Sequence, residues 1–199
     1  MTQVATTNQG RETRARIVAV AAALIGERGV AGTSLDDIRA ATSSSKSQLY
    51  HYFGDKHGLV RAVIDYQSAR VLDAQVDALG EVQDWGSMER WADGMVATVD
   101  ANGARGGCPI GTLAAALSDT DERFRVPLSE AFDRWRHAIA EALTRLQGRG
   151  LLASDADLEA LTTTTLAAIQ GGLLLAKTSR DSTLLKAALD GAITHLRSS

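Results

Sequence analysis

A run of short polar side chains, Thr42-Ser43-Ser44-Ser45-Lys46-Ser47-Gln48, carries the most specific chemistry in this sequence. Leu49 and Phe53 follow it, and their four-residue spacing places both on one face of a helix. The other face then offers hydrogen-bonding groups, mostly on short side chains, from Ser45, Lys46, Ser47, Gln48, Tyr50 and His51. Such groups can read base edges in the major groove of DNA, where Gln pairs with adenine and Lys favours guanine or phosphate.

A solvated linker is the alternative for this serine-rich run, but both flanking segments have helical patterns. The stretch Thr33-Ser34-Leu35-Asp36-Asp37 begins a short helix, because a hydroxyl cap is followed by carboxylates in the first turn. The second helix ends before Gly54. Two short helices joined by a tight turn form the helix-turn-helix plan, in which the second helix enters the major groove.

The segments around this motif also have helical spacing of apolar residues, and no run alternates with the period of a strand. We therefore expect an all-α protein of about nine helices. Residues 11–57 are expected to form an N-terminal three-helix DNA-binding domain with the helix-turn-helix. Residues 58–199 are expected to form a C-terminal helical domain for ligand binding and dimerisation, and residues 1–10 to form a disordered tail.

Composition agrees with an intracellular globular protein. The 199 residues are 45% hydrophobic and 23% charged, which is ample for a packed core. The single cysteine excludes an intramolecular disulfide and fits a reducing compartment. The N-terminus lacks the apolar core of a signal peptide, and the apolar run 17–25 is too short to span a bilayer. We expect a cytoplasmic protein with no membrane partner.

Charge is distributed unevenly along the chain. The net charge is −3, yet residues 1–70 hold nine Lys and Arg against six Asp and Glu. A mildly basic end on an acidic body favours an anionic partner at the N-terminal end, although chance scatter remains the alternative.

No catalytic set is visible in the sequence. It lacks a Ser/His/Asp signature and paired metal-ligand spacing, and the glycine-rich stretch GARGGCPIG follows no strand, as a nucleotide loop would. The sequence therefore predicts a protein that is not an enzyme and that uses no cofactor and no metal.

Two stretches of the N-terminal region resemble the DNA-binding domain of the TetR family of bacterial transcriptional regulators. They are TSLDDIRAA and SKSQLYHYFGDKHGLV, and the close similarity covers residues 11–65. The stretches GGCPIGTLAAALSD and AAIQGGLLLAKTSRD resemble the LmrA/YxaF-like subgroup. Ser43 stands where the family usually has glycine, so we expect a strained backbone there. Ser44 replaces an apolar residue, and its hydroxyl is expected to cap the recognition helix.

The resemblance implies a ligand-responsive repressor that binds a palindromic DNA operator as a homodimer and is released by a small apolar or cationic molecule. It implies that Lys46, Ser47, Gln48 and Tyr50 face bases or the adjoining backbone. It also implies phosphate contacts from Thr33, His51, Tyr52 and Lys56.

Several aromatic and apolar residues of the C-terminal region are candidates to line an effector pocket, with Gln170 as a polar anchor. Packing in the core is the alternative for each. Cys108 precedes a helix start, where a thiol pKa can be lowered, and a buried structural thiol is the alternative. The candidate ligand-binding residues are Trp91, Met95, Cys108, Leu113, Phe132, Trp135 and Gln170.

The last two predicted helices carry apolar stripes with small residues, which would let two copies form a four-helix bundle. The candidate dimer residues are Leu158, Leu161, Thr165, Ile169, Gly172, Leu173, Leu184, Leu185 and Ala188. Two other functions remain open. One is a helical partner-binding or sensor protein with weakened DNA binding, in which Cys108 would supply a redox-active group. The other is a helical enzyme that keeps the motif as a relic.

Overall fold

The computed structural model describes residues 7–199, and within this range the chain forms nine α-helices and no strand. The expectation of an all-α protein with about nine helices is confirmed. The helices are α1 (Asn8–Arg28), α2 (Leu35–Thr42), α3 (Lys46–Phe53), α4 (Lys56–Gly80), α5 (Trp85–Ala101), α6 (Pro109–Leu117), α7 (Glu122–Gly148), α8 (Leu158–Ser179) and α9 (Thr183–Arg197).

The N-terminal tail was expected to extend to residue 10, and for residues 8–10 this is wrong. Helix α1 begins at Asn8 because the Thr7 hydroxyl accepts a hydrogen bond from the backbone N–H of Gly10, which caps the first turn. Residues 1–6 lie outside the described part of the chain.

The described residues form two compact units. The first contains the chain up to Arg70 together with Thr112–Leu128, and the second contains Val71–Gly111 and Ser129–Ser199. Helices α4, α6 and α7 contribute residues to both units. The predicted boundary between residues 57 and 58 separates DNA-binding residues from ligand-binding residues, whereas these units are defined by packing. The boundary therefore stays a prediction.

In the first unit, α1 supplies the apolar face against which the helix-turn-helix is built. Its stripe of Ile17, Ala21 and Ile25 is buried, as the helical spacing predicts. Ile38 of α2 is also buried. Removing this apolar surface from water stabilises the unit by about 25 cal/mol per Å². Because the apolar faces of α2 and α3 are buried, their opposite faces are exposed to solvent.

In the second unit, α8 and α9 pack closely against each other. The close approach depends on Gly172, because a Cβ atom at this position would lie 2.9 Å from Leu185 Cδ1. Helix α8 is long and apolar enough to cross a membrane by length and composition, with a mean hydropathy of 1.2. Its packing on α9 explains part of this apolar character, since 39% of the apolar window is buried within the chain.

Candidate nucleic-acid interface

The first helix of the motif, α2, begins at a reciprocal cap between Ser34 and Asp37. The Ser34 hydroxyl accepts from the backbone N–H of Asp37 at 3.1 Å, and the Asp37 carboxylate accepts from the backbone N–H of Ser34 at 2.8 Å. Hydrogen bonds from the hydroxyl and backbone N–H of Ser34 lower the pKa of the Asp37 carboxyl. This capping box satisfies two backbone donors and fixes where α2 starts.

The turn between α2 and α3 places Ser43 in the left-handed conformation, with φ 52° and ψ 30°. The expectation that Ser43 takes a backbone suited to glycine is confirmed. Ser44 is buried, and its hydroxyl donates to the buried Thr42 hydroxyl at 2.9 Å, because the Thr42 proton is itself donated to the backbone oxygen of Ile38 at 2.7 Å. The prediction that Ser44 caps the recognition helix is therefore wrong, because its side chain points to Thr42 instead.

The recognition helix α3 is capped by Ser45. Its hydroxyl accepts from the backbone N–H of Gln48 at 3.1 Å, while Gln48 Oε1 accepts from the backbone N–H of Ser45 at 2.8 Å. Leu49 and Phe53 are both buried, as their spacing predicts. The side chains on the opposite face remain outside.

The structure places the nine candidate DNA-binding residues in three environments. Six are exposed: Ser45, Lys46, Ser47, Gln48, Tyr50 and His51. Tyr52 and Lys56 are half-buried, and Thr33 is fully buried. The Lys46 ammonium lies 5.9 Å from the centroid of the Tyr50 ring. Helix α3 contains no Asp or Glu, so its exposed face does not repel a polyanion.

Thr33 does not have the predicted phosphate-contacting role. Its side chain is 0% exposed, and its hydroxyl donates to the backbone oxygen of Gly29 at 2.8 Å. The residue closes the loop between α1 and α2, so its hydroxyl is unavailable to DNA. Lys56 donates to the backbone oxygen of Val30 at 2.9 Å, which uses one of its three donors.

Two contacts to the motif come from α1 and were missed by the sequence reasoning. Arg16 Nη1 donates to the backbone oxygen of Thr42 at 2.6 Å. The Arg14 guanidinium carbon lies 5.4 Å from the centroid of the Phe53 ring. Neither pair is close in sequence, so no local pattern could have found them; the only available signal is the basic charge on α1.

The candidate ligand-binding residues are mostly buried. Trp91, Met95, Cys108, Leu113 and Trp135 are buried, whereas Phe132 and Gln170 are half-buried. The Trp91 indole donates to Gln75 Oε1 at 3.0 Å. Within the described chain, Trp135 Nε1 is shielded from solvent and has no hydrogen-bond partner, whereas the Gln170 side chain, also shielded at Nε2, lies beside the Cys108 thiol.

The environment of Cys108 contradicts a lowered thiol pKa. Burial raises the pKa of the Cys108 thiol, and this effect outweighs the hydrogen bond that the backbone N–H of Gly111 donates to Sγ at 3.3 Å. The alternative of a buried structural thiol is supported by this arrangement.

The candidate dimer stripe is covered by the chain itself. Leu161, Thr165, Ile169, Gly172, Leu173 and Leu185 are buried, and Leu158, Leu184 and Ala188 are half-buried. These six residues are covered within the single chain, where Gly172 packs against Leu185 and Ala188 of α9. Which residues meet a second copy stays a prediction. The large apolar residues left exposed on α8 are Leu174 and Leu175, at 63% and 54%.

Comparison with known proteins agrees with this geometry. Residues 17–63 match the tetR family of bacterial regulatory proteins, and residues 86–191 match the LmrA/YxaF-like transcriptional regulator C-terminal domain. The chain is 32% identical to an uncharacterized HTH-type transcriptional regulator in the lacX 3' region of Lactococcus lactis subsp. lactis, covering 90% of this chain and 91% of that one. It is 28% identical to the HTH-type transcriptional regulator LmrA of Bacillus subtilis, over 87% and 91% of the two chains.

Solved structures show the same fold. A TetR transcriptional regulator from Chloroflexus aurantiacus is 29% identical, with a TM-score of 0.77 over 95% of this chain and 96% of that one. A regulatory protein TetR from Rhodobacter sphaeroides has a TM-score of 0.83 over 92% of this chain and 98% of that one, at 21% identity. The prediction that the protein is not an enzyme is confirmed, because the family consists of transcriptional regulators. The chain belongs to the TetR family of DNA-binding transcriptional regulators, with an LmrA/YxaF-like C-terminal domain.

Proposed function

We propose that this protein is a cytoplasmic, homodimeric repressor that binds a palindromic DNA operator and releases it when a small molecule binds the C-terminal region. The observation that carries the proposal is the capped helix α3, which buries Leu49 and Phe53 and leaves a polar face without carboxylates exposed. A face of this kind can approach base edges in the major groove without charge repulsion.

The exposed residues of α3 divide by the chemistry they offer. Lys46 can donate to guanine or phosphate. Gln48 can donate through Nε2, and although its Oε1 accepts from the Ser45 N–H, a second lone pair on Oε1 can accept from a base. Ser47, Tyr50 and His51 supply further hydrogen-bonding groups. The Ser45 hydroxyl accepts a hydrogen bond in the cap, so we assign it to fixing the helix and to contacts through its O–H donor and its remaining lone pair. Tyr52 and Lys56 are proposed to contact phosphate, which sets the register.

The dimer surface is proposed to lie on the outer faces of α8 and α9. On α8 the exposed residues Ala167, Gly171, Leu174 and Thr178 recur at helical spacing, and Leu175 adjoins them. On α9 the exposed small residues are Ala187, Gly191 and Thr194. Small residues permit close helix contact, and burying two exposed leucines on each copy supplies a hydrophobic centre. A second copy on this face would complete a four-helix bundle.

The effector is proposed to carry a hydrogen-bond acceptor. Trp135 Nε1 is a buried donor without a partner, and an unpaired buried donor costs about 1–3 kcal/mol. No Asp or Glu is buried in residues 7–199, so the second unit offers no buried carboxylate for a cation. This favours a largely apolar molecule with a carbonyl or similar oxygen over a cationic one. Coupling to DNA release of about 1–3 kcal/mol is typical of such switches.

A gel shift with the DNA upstream of the gene that encodes this chain tests the proposal. The wild-type protein is expected to bind one segment in preference to the rest, and Lys46→Ala or Tyr50→Ala is expected to weaken that binding while the dimer persists. Arg90→Ala removes a charge from the exposed surface of α5 and serves as the matched control. Binding by Lys46→Ala equal to that of the wild type would overturn the assigned orientation of α3.

A further inference from the structure

Arg16 of α1 contacts the end of the first motif helix. Its Nη1 donates a 2.6 Å hydrogen bond to the backbone oxygen of Thr42, the last residue of α2. The last carbonyls of a helix have no partner within the helix, and a cation near them also interacts favourably with the helix dipole. The arginine therefore supplies both a missing donor and a favourable charge at the point where the turn begins.

Arg14, two residues earlier, contacts the end of the second motif helix. Its guanidinium carbon lies 5.4 Å from the ring centroid of Phe53, the last residue of α3. The Phe53 ring is buried, so this cation–π contact is partly shielded from water. One helix, α1, thus holds the C-terminal ends of both α2 and α3.

The turn between the two held ends contains a strained residue. Ser43 has a left-handed backbone, a conformation that persists in a residue with a side chain only where the surroundings enforce it. Arg16 contacts Thr42, the residue directly before Ser43, and the buried hydrogen bond between Thr42 and Ser44 joins the residues on either side of it. We attribute the left-handed backbone of Ser43 to these two contacts.

We infer that Arg16, assisted by Arg14, is a positioning residue that sets the orientation of the recognition helix on DNA. The inference rests on the proposed function of α3. Base contacts carry the sequence information and depend on where α3 lies in the groove, whereas phosphate contacts contribute to binding of every sequence. Losing Arg16 should therefore cost discrimination between sequences more than it costs general affinity for DNA.

A direct phosphate contact by Arg16 is the competing role, because its side chain is exposed. The two roles differ in salt dependence. Removing a phosphate contact makes the slope of log affinity against log salt less steep by about 0.9 for each contact, hence by about 1.8 for the two copies of Arg16 in a dimer, and weakens binding to all sequences alike. Removing a positioning residue leaves the slope unchanged and weakens only the specific complex.

The experiment compares Arg16→Met and Arg16→Lys with the wild type. The probes are the best-bound 30-base-pair duplex from the upstream region and a scrambled duplex of the same composition, each titrated over a series of salt concentrations. We expect Arg16→Met to bind the specific duplex about tenfold more weakly, with unchanged affinity for the scrambled duplex and an unchanged salt slope. Arg16→Lys, which retains a donor, should recover part of the loss.

Arg11→Met is the matched control, because Arg11 lies on the same helix and its described hydrogen bond goes to Asn8, one turn earlier. It should leave discrimination at the wild-type level. Arg14→Met should show the Arg16→Met pattern at smaller size, and it keeps the inference testable should Arg16→Met not fold. If Arg16→Met weakens binding to both duplexes equally and makes the salt slope shallower, Arg16 contacts phosphate. If Arg16→Met and Arg14→Met both discriminate between the duplexes as the wild type does, the inference is wrong.

A measurement without DNA separates this inference from the proposed function. The backbone N–H groups of Ser43 and Ser44 donate to Ala40 and Arg39 within the turn. We expect hydrogen exchange at these two amides to be several-fold faster in Arg16→Met than in Arg11→Met. Unchanged exchange contradicts the positioning role even if operator binding fails for another reason, and a wild-type protein that prefers no duplex contradicts the proposed function alone.

Discussion

Ser43 is the residue at which this chain departs most clearly from ideal local geometry. Its φ of 52° puts the backbone in the left-handed region, which costs about 1–2 kcal/mol for a residue with a β-carbon. Ser43→Gly should therefore raise the free energy of unfolding by about 0.5–1 kcal/mol, after the greater freedom of glycine in the unfolded chain is subtracted. Urea unfolding should show a higher midpoint at an unchanged slope.

Ser47→Gly is the matched control for this substitution. Ser47 lies within α3, where glycine has no conformational advantage and lowers stability by about 0.5 kcal/mol relative to serine. The two substitutions should thus move the midpoint in opposite directions. A loss of stability in Ser43→Gly would mean that the serine side chain contributes more than the backbone strain costs.

Cys108 gives a second test at the scale of one residue. Because burial raises its pKa, the reactive thiolate is scarcer at pH 8 than for a free thiol. Alkylation by iodoacetamide should be at least about tenfold slower in the folded protein than in urea. Equal rates in the two states would contradict the burial and revive an oxidant-sensing role, while Cys108→Ser controls for labelling elsewhere.

The sequence predicts single-residue environments where neighbours along the chain decide them. Leu49 and Phe53 are buried because helical spacing puts them on one face. The left-handed backbone of Ser43 was expected from the family resemblance, because the family usually has glycine at this position. Thr33 and Ser44 were mispredicted because each hydroxyl found a partner in the fold, the Gly29 backbone oxygen and the Thr42 hydroxyl. Hydroxyl groups have many possible partners, and sequence does not choose between them.

At the scale of elements, the packing of α8 on α9 depends on the absence of a side chain at Gly172. An added Cβ atom would lie 2.9 Å from Leu185 Cδ1, 3.0 Å from Ala188 Cβ and 3.2 Å from Leu185 Cα. Because one of these atoms is backbone, the helices must separate to admit it. Gly172→Ala should lower the free energy of unfolding by about 1–3 kcal/mol, measured by urea unfolding.

Gly94→Ala is the control for this prediction. Gly94 is an exposed residue within α5, and a Cβ atom there meets nothing within 4 Å. The higher helix propensity of alanine should raise stability by up to about 1 kcal/mol. A gain of stability in Gly172→Ala of similar size would show that the two helices are not in close contact.

Helix starts were predictable because the capping residues are neighbours in sequence. Ser34 with Asp37 and Ser45 with Gln48 each form a capping box within four residues. The assignment of the apolar stripe to a dimer surface had no comparable local signal. Periodicity shows that Ile169 and Gly172 are buried, but it does not show whether their own chain or a second copy covers them. Here α9 of the same chain covers Gly172.

At the scale of the whole molecule, the exposed leucines of α8 test how two copies associate. Leu174→Glu puts a charge at the centre of the proposed interface and should convert the dimer to monomers at micromolar concentration. Val126→Glu, which changes an exposed apolar residue of α7, should leave the dimer intact. Sedimentation velocity distinguishes the two masses. A Leu174→Glu protein that remains dimeric would place the interface elsewhere.

We propose that two copies of α3 bind two half-sites in the major groove on one side of a duplex, and hydroxyl-radical footprinting of the upstream DNA measures this binding directly. We expect two segments of equal protection related by a two-fold axis, with centres about one helical turn, 34–36 Å, or a multiple of it apart. A single protected segment, or protection that shows no preference for sequence, would contradict it.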